Sequence, residues 1–107
     1  MIRSHEHSGY RTVLDKIEQK TLVHGAKTLL AEFRLASGAV LPRHSHPHEQ
    51  TGYLVSGSLE LTVGDETRLL GPGGSWCIPG DVEPAAVARK DCVAIEVFSP
   101  PRPDYLP

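Results

Sequence analysis

Three of the six histidines fall within five residues, in the run His44-Ser-His46-Pro-His48-Glu49-Gln50. Successive side chains of an extended strand point to opposite faces, so His44 and His46 project the same way and two imidazoles converge on one side. Imidazole nitrogen suits zinc, nickel, iron or manganese, and such a pair supplies two of the ligands the ion requires. Gln50 keeps the same parity if extended pairing resumes after the turn at Pro47, and its amide oxygen is then a third donor. That oxygen carries no net charge, so the site would hold a divalent metal less tightly than one completed by a carboxylate. His48 shares the parity but follows Pro47 in the turn, so it is expected at the pocket mouth ahead of a place among the ligands. Glu49 has the opposite parity and points away, which argues against a two-His-one-carboxylate iron site.

A second group lies near the end of the chain. Cys92, Ala94, Glu96 and Phe98 share one face of a strand pattern while Val93, Ile95 and Val97 share the other. If the first face lines an interior, Glu96 is a buried carboxylate with a raised pKa, fit for proton transfer. Arg102 could clamp a ligand carboxylate through two parallel hydrogen bonds. Tyr53 and Trp76 read as core or pocket-wall aromatics, with stacking on a sugar ring as their other use.

The elements that must position these groups read as strands. Leu29, Ala31, Phe33 and Leu35 alternate with Thr28, Glu32 and Arg34, broken only by Leu30. Gly38 marks a turn, and Ala39 to His46 reads as an extended segment with Pro42 near its start. Tyr53-Leu54-Val55 precedes Ser56-Gly57-Ser58, and Leu59, Leu61 and Val63 alternate with Glu60 and Thr62 up to the Gly64-Asp65 turn. Thr67 to Leu70, Trp76 to Ile78, Ala85 to Arg89 and Cys92 to Phe98 continue the series. Seven to nine short strands with glycine-rich turns predict an all-β sandwich or barrel with little or no helix. Val13 to Lys20 carries the one weak helical pattern, and it is not expected to form a helix. The first ten residues lack periodicity and the tail SPPRPDYLP holds four of the nine prolines, so both ends are expected to be irregular.

Composition narrows the function classes. A chain of 107 residues supports one core and one domain. A formal net charge of −2, with Lys and Arg scattered, gives no footprint for nucleic acid. No apolar run approaches the ~20 residues of a membrane helix, and the start MIRSHEHSGYR has no apolar signal region, so the expected location is cytoplasmic. In that compartment Cys77 and Cys92 read as two small buried side chains.

The spacing Gly38-x5-His44-x-His46-x3-Gln50-x6-Gly57 resembles the first motif of the cupins, with Gln50 in place of the usual glutamate. The stretch Gly73 to Pro84 resembles the second, keeping Gly73 and Pro79 but placing Pro84 where the family has its last metal-binding histidine. The resemblance implies a double-stranded β-helix, or jelly roll, over about residues 27–98, flanked by an irregular N-terminal arm and a proline-rich tail. With Pro84 the metal site keeps at most three protein ligands, and metal is weakly held or lost.

Within the cupins, His-Ser-His-Pro-His-Glu-Gln, Gly-Tyr-Leu-Val-x-Gly, Gly-Pro-Gly-x-Ser-Trp-x-Ile-Pro and the ending from Glu96 to Tyr105 are similar to the KdgF-type enzymes of pectin and alginate breakdown. These turn 4,5-unsaturated monouronates into linear keto forms. That resemblance makes Gln50 an accepted metal ligand and assigns functional roles to Glu96, Phe98 and Arg102, with Glu96 one methylene longer than the usual aspartate. It implies a metal-dependent isomerase of small sugar acids that pairs as a homodimer. The alternative is a cupin that binds a sugar or organic acid without turnover at a degraded metal site.

Overall fold

The structure, a computed structural model, describes all of residues 1–107. It contains ten strands rather than seven to nine: β1 (Arg11–Leu14), β2 (Ile17–His24), β3 (Leu29–Leu35), β4 (Val40–Leu41), β5 (Glu49–Ser56), β6 (Leu59–Val63), β7 (Glu66–Leu70), β8 (Ser75–Ile78), β9 (Pro84–Ala88) and β10 (Cys92–Ser99). A six-stranded sheet runs β1-β2-β3-β10-β5-β8 and a four-stranded sheet runs β4-β9-β6-β7, with every pairing antiparallel. The two sheets face each other as a jelly roll, within the sandwich-or-barrel class the strand pattern predicts and the fold the motif resemblance implies.

Alternation decides what lies between the sheets. On β10 the buried residues are Cys92, Ala94, Glu96 and Phe98, and the partly exposed ones are Val93, Ile95, Val97 and Ser99. Leu54, Leu59, Leu61, Ala86, Ala88, Ala94 and Ile17 form the main apolar core, and Leu29, Ala31 and Phe98 form a smaller one against Phe33 and Tyr105.

Three expectations need correction. The strands begin at Arg11 rather than with a barrel starting near residue 27, because β1 and β2 form a hairpin that extends the large sheet. This hairpin also replaces the weak helical pattern at Val13 to Lys20, with Lys16 at φ 63 in its turn. The extended segment Ala39 to His46 is a strand only at Val40–Leu41, because Pro42 and then Pro47 lack the N–H that a ladder needs. Cys77 is exposed, since its parity on the edge strand β8 turns it outward while Trp76 and Ile78 turn in; only Cys92 is buried. The tail is irregular apart from one 3₁₀ turn at Pro103–Tyr105, whose Tyr105 packs against the smaller core.

The N-terminal arm folds back on the outer face of the large sheet. Lys20 Nζ donates to the Glu6 carbonyl, and the Tyr10 hydroxyl donates to Glu32 at 2.8 Å. Arg34 Nε also donates to Glu32 at 2.8 Å, and its guanidinium lies 4.1 Å from the Tyr10 ring centre. Burial pushes the Glu32 carboxyl up, but the hydrogen bonds from Arg34 and Tyr10, together with the Arg34 charge, outweigh it and hold the group below its ordinary value. A folded-state pKa below the unfolded one stabilises the fold above about pH 4.3, and that contribution is lost as pH falls through the folded value. Glu32→Gln should therefore lower the urea midpoint at pH 7 by more than it does at pH 3. An equal decrement at both pH values would show that the ion cluster does not pin the arm.

Candidate functional site

Between the sheets lies a cavity of about 510 Å³ whose lining includes His44, Gln50, Trp76, Pro84, Glu96, Phe98 and Arg102. Residues from the loop after β4, from β5, β8, β9 and β10, and from the tail are thus brought to one place. Register explains much of this: Phe98 faces Gln50 and Glu96 faces Gly52 across β10 and β5, and Gln50 faces Ile78 and Gly52 faces Trp76 across β5 and β8. The glycines at both ends of the His-x-His segment serve the backbone. Gly38 and Gly57 have φ of 89° and 98°, and a Cβ on Gly57 would overlap the Asp91 carbonyl.

A chain of hydrogen bonds links the two predicted groups. His46 Nε2 donates to Gln50 Oε1 at 3.0 Å, and Gln50 Nε2 donates to Glu96 Oε1 at 2.7 Å. Trp76 Nε1 donates to the same Glu96 oxygen at 2.9 Å. His44 Nδ1 lies 2.9 Å from the Pro42 carbonyl, which can only accept, so that nitrogen carries the proton and Nε2 keeps its lone pair.

One pair of these donors has the spacing of two ligands on a divalent transition metal. Two ligand atoms at right angles and about 2.1 Å from an ion sit about 3.0 Å apart, the separation of His46 Nε2 and Gln50 Oε1. Burial, and then the positive charge of Arg102, lower the His46 pKa and so favour the neutral imidazole, the form that ligates. His46 Nδ1 is buried without a partner, free to carry the proton once Nε2 is taken. No group of three His, Cys, Asp or Glu gathers anywhere in the chain, so a metal here needs the Gln50 amide. Pro84, at the start of β9, is fully buried in the cavity wall and offers no donor.

Glu96 is 9% exposed. Burial raises its pKa, opposed by the hydrogen bonds from Gln50 and Trp76 and by the charge of Arg102. Its Oε2 receives no hydrogen bond from the protein. The guanidinium of Arg102 lies 5.4 Å from the Phe98 ring centre and 4.3 Å from that of Tyr105, and its fork holds Asp104 through Nε and Nη2 at 3.2 and 2.9 Å.

Two of the aromatic and histidine candidates stand elsewhere. Tyr53 has the outward parity of β5, is 52% exposed and takes no part in the cavity. The His48 ring stands 5.7 Å from that of His46; neither lines the cavity, and only His46 is joined to it, through Gln50. Arg11, Asp104 and Tyr105 line it without having been singled out in the sequence. Gly52 was likewise missed; its signal is positional, visible only once β5 is paired with both β8 and β10.

A jelly roll enclosing such a cavity defines a class, and the profile of the cupin domain matches residues 31–98: the chain belongs to the cupin family. Among characterised proteins it is 28% identical to the pectin degradation protein KdgF of Dickeya dadantii over 94 residues, 86% of each chain. Among solved structures, KdgF from a Halomonas species is 33% identical, with a TM-score of 0.86 over 91% of this chain and 90% of that one. An RmlC-like cupin from Shewanella frigidimarina is 24% identical, with a TM-score of 0.91 over 97% and 94%. In the second motif, Asp81 stands at the glycine position and adopts φ 65, a left-handed conformation that aspartate tolerates better than most residues.

Proposed function

We propose that this single-domain cupin is a metal-dependent isomerase that opens 4,5-unsaturated monouronates to their keto forms. The observation that carries this reading is the line from His46 through Gln50 to Glu96, in which Gln50 and Glu96 line one cavity with His44 and Arg102 and His46 backs Gln50 from outside its lining. The likeness to two KdgF proteins, one of them named for pectin degradation, supports the substrate class. His44, His46 and Gln50 hold zinc, nickel, iron or manganese, and the bound ion supplies Lewis-acid polarisation of substrate oxygens.

The remaining chemistry falls to the protein. Opening the hemiacetal breaks the bond between C1 and the ring oxygen, leaving an aldehyde and an enol at C4–C5. Tautomerisation then moves the enol proton to C4 with no net oxidation. Glu96 Oε2, unbonded within the protein, relays that proton. Arg102 takes the substrate carboxylate, and Phe98 forms an apolar wall that limits water. Metal-loaded protein should remove the absorbance of the unsaturated bond from a monouronate at a rate proportional to enzyme. No change above the spontaneous rate would reject the reading.

A second reading is favoured by Pro84. If the three-donor site does not retain metal, the same cavity binds a sugar or organic acid without turnover. Saturable binding of a saturated uronate by calorimetry, with no turnover of the unsaturated one, would select it.

The protein is further proposed to be a cytoplasmic homodimer. No helix is long and apolar enough to cross a membrane. Tyr53 and Val55 stand 52% and 47% exposed on the outer face of the large sheet, next to Val93, Ile95 and Val97. Burying that face against a second copy would remove apolar surface from water. Sedimentation equilibrium giving the monomer mass at micromolar concentration would reject the dimer.

A further inference from the structure

Glu96, Gly52 and Trp76 occupy one row across three neighbouring strands: Glu96 on β10 pairs with Gly52 on β5, and Gly52 pairs with Trp76 on β8. All three positions face the interior. Strands lie about 4.8 Å apart, so the outer two residues of the row are about 10 Å apart at their backbones. A side chain on β8 reaches one on β10 only if the middle position is empty. Gly52 supplies that gap. A Cβ placed on it would overlap Cε2, Cζ2 and Nε1 of the Trp76 indole, whereas its φ is not in the left-handed region, so glycine is required here for space and not for conformation. The indole lies across the Gly52 backbone and delivers its N–H to Glu96 Oε1 at 2.9 Å.

The consequence concerns how the carboxylate is oriented. Glutamate has three side-chain torsions, and an unrestrained carboxylate samples several rotamers. Here two donors, Gln50 from β5 and Trp76 from β8, meet on the same oxygen. We propose that Trp76, seated in the gap left by Gly52, is a positioning residue that fixes Glu96 by Oε1 and so presents Oε2 to the ligand. This rests on the proton-transfer role given to Glu96 above. Trp76 touches no reacting atom; it acts through Glu96. The extra methylene of glutamate relative to aspartate makes such a restraint more necessary, because a 1 Å misplacement can cost about 10²-fold in rate.

The chain has a single tryptophan, so its indole N–H is one isolated resonance in a ¹H–¹⁵N spectrum. In metal-loaded wild-type protein that resonance should be shifted downfield and slow to exchange. Glu96→Ala should move it upfield and speed its exchange at least tenfold, while backbone resonances remote from the row stay in place. Trp76→Phe keeps an aromatic wall but has no donor. It should lower kcat on the unsaturated uronate about tenfold or more with KM within about twofold. Gly52→Ala should reproduce that split, with circular dichroism confirming the fold. An indole resonance indifferent to Glu96→Ala overturns the contact and the proposal with it. Wild-type kcat in Trp76→Phe, beside inactive Glu96→Gln, overturns the proposal and leaves the proposed function standing. Full kcat in Glu96→Gln, or no turnover by wild-type protein, overturns both.

Discussion

Glu96→Gln lowers kcat on a 4,5-unsaturated monouronate by about 10²- to 10⁴-fold, the range by which a positioned proton-transfer group accelerates a reaction. The substitution isolates that role. Glutamine keeps a carbonyl oxygen where Oε1 accepts from Gln50 and Trp76, so both hydrogen bonds and the packing around them survive. What it removes is the group that takes and returns a proton. Metal content should stay at the wild-type level, because His44, His46 and Gln50 are untouched. A kcat within about twofold of wild type would take proton transfer away from Glu96, and Tyr105, which burial raises above its ordinary pKa in the same cavity, would then be the next group to test.

The second large effect is on metal retention. Loaded with zinc, nickel or manganese and then dialysed, wild-type protein should hold close to one ion per chain by plasma mass spectrometry. The His44→Ala, His46→Ala double variant should hold none, since the amide of Gln50 alone is too weak a donor. Pro84→His adds an imidazole from the start of β9, and should raise affinity at least about tenfold, a scale that outer-sphere partners alone reach. Metal-free wild-type protein after loading would remove the metal from the mechanism and leave the binding reading. Unchanged affinity in Pro84→His would mean that β9 does not aim that position at the ion.

The sequence made the interior legible wherever alternation was apolar. Leu29 to Leu35, Leu59 to Val63 and Cys92 to Phe98 announced both their strands and their inward faces. The same parity argument placed Glu96 beside Phe98 and turned Glu49 away. It failed at β2, where the inward row includes Gln19 and Thr21, joined by their own hydrogen bond, and where a bulge at Leu22 shifts the phase. A polar row inside a sheet looks like a loop when it is read without its partners. Residue character misled at Tyr53 and Cys77, where an aromatic ring and a thiol suggested burial that their outward parity denies. His44 and Gln50 were legible from motif spacing, and Glu96 from strand parity and the narrower resemblance. The row of Glu96, Gly52 and Trp76 was not, because it depends on the register of three strands that are separated by long stretches of chain.

The Nε–Nη2 edge of Arg102 is already filled by Asp104, two residues along the same short turn. A ligand carboxylate that takes this same edge, rather than the Nη1–Nη2 edge, does so by exchange, releasing one anion as it supplies another. The net charge of the complex at that spot changes little, and Asp104, 58% exposed, is returned to water by a rotation of its own side chain. The free energy of this contact is then the difference between two nearly equivalent ion pairs rather than the whole of one. Discrimination among acids must come from the rest of the ligand, and simple anions such as acetate should compete poorly. In this barrel Arg102 works as a turnstile, not as an anchor.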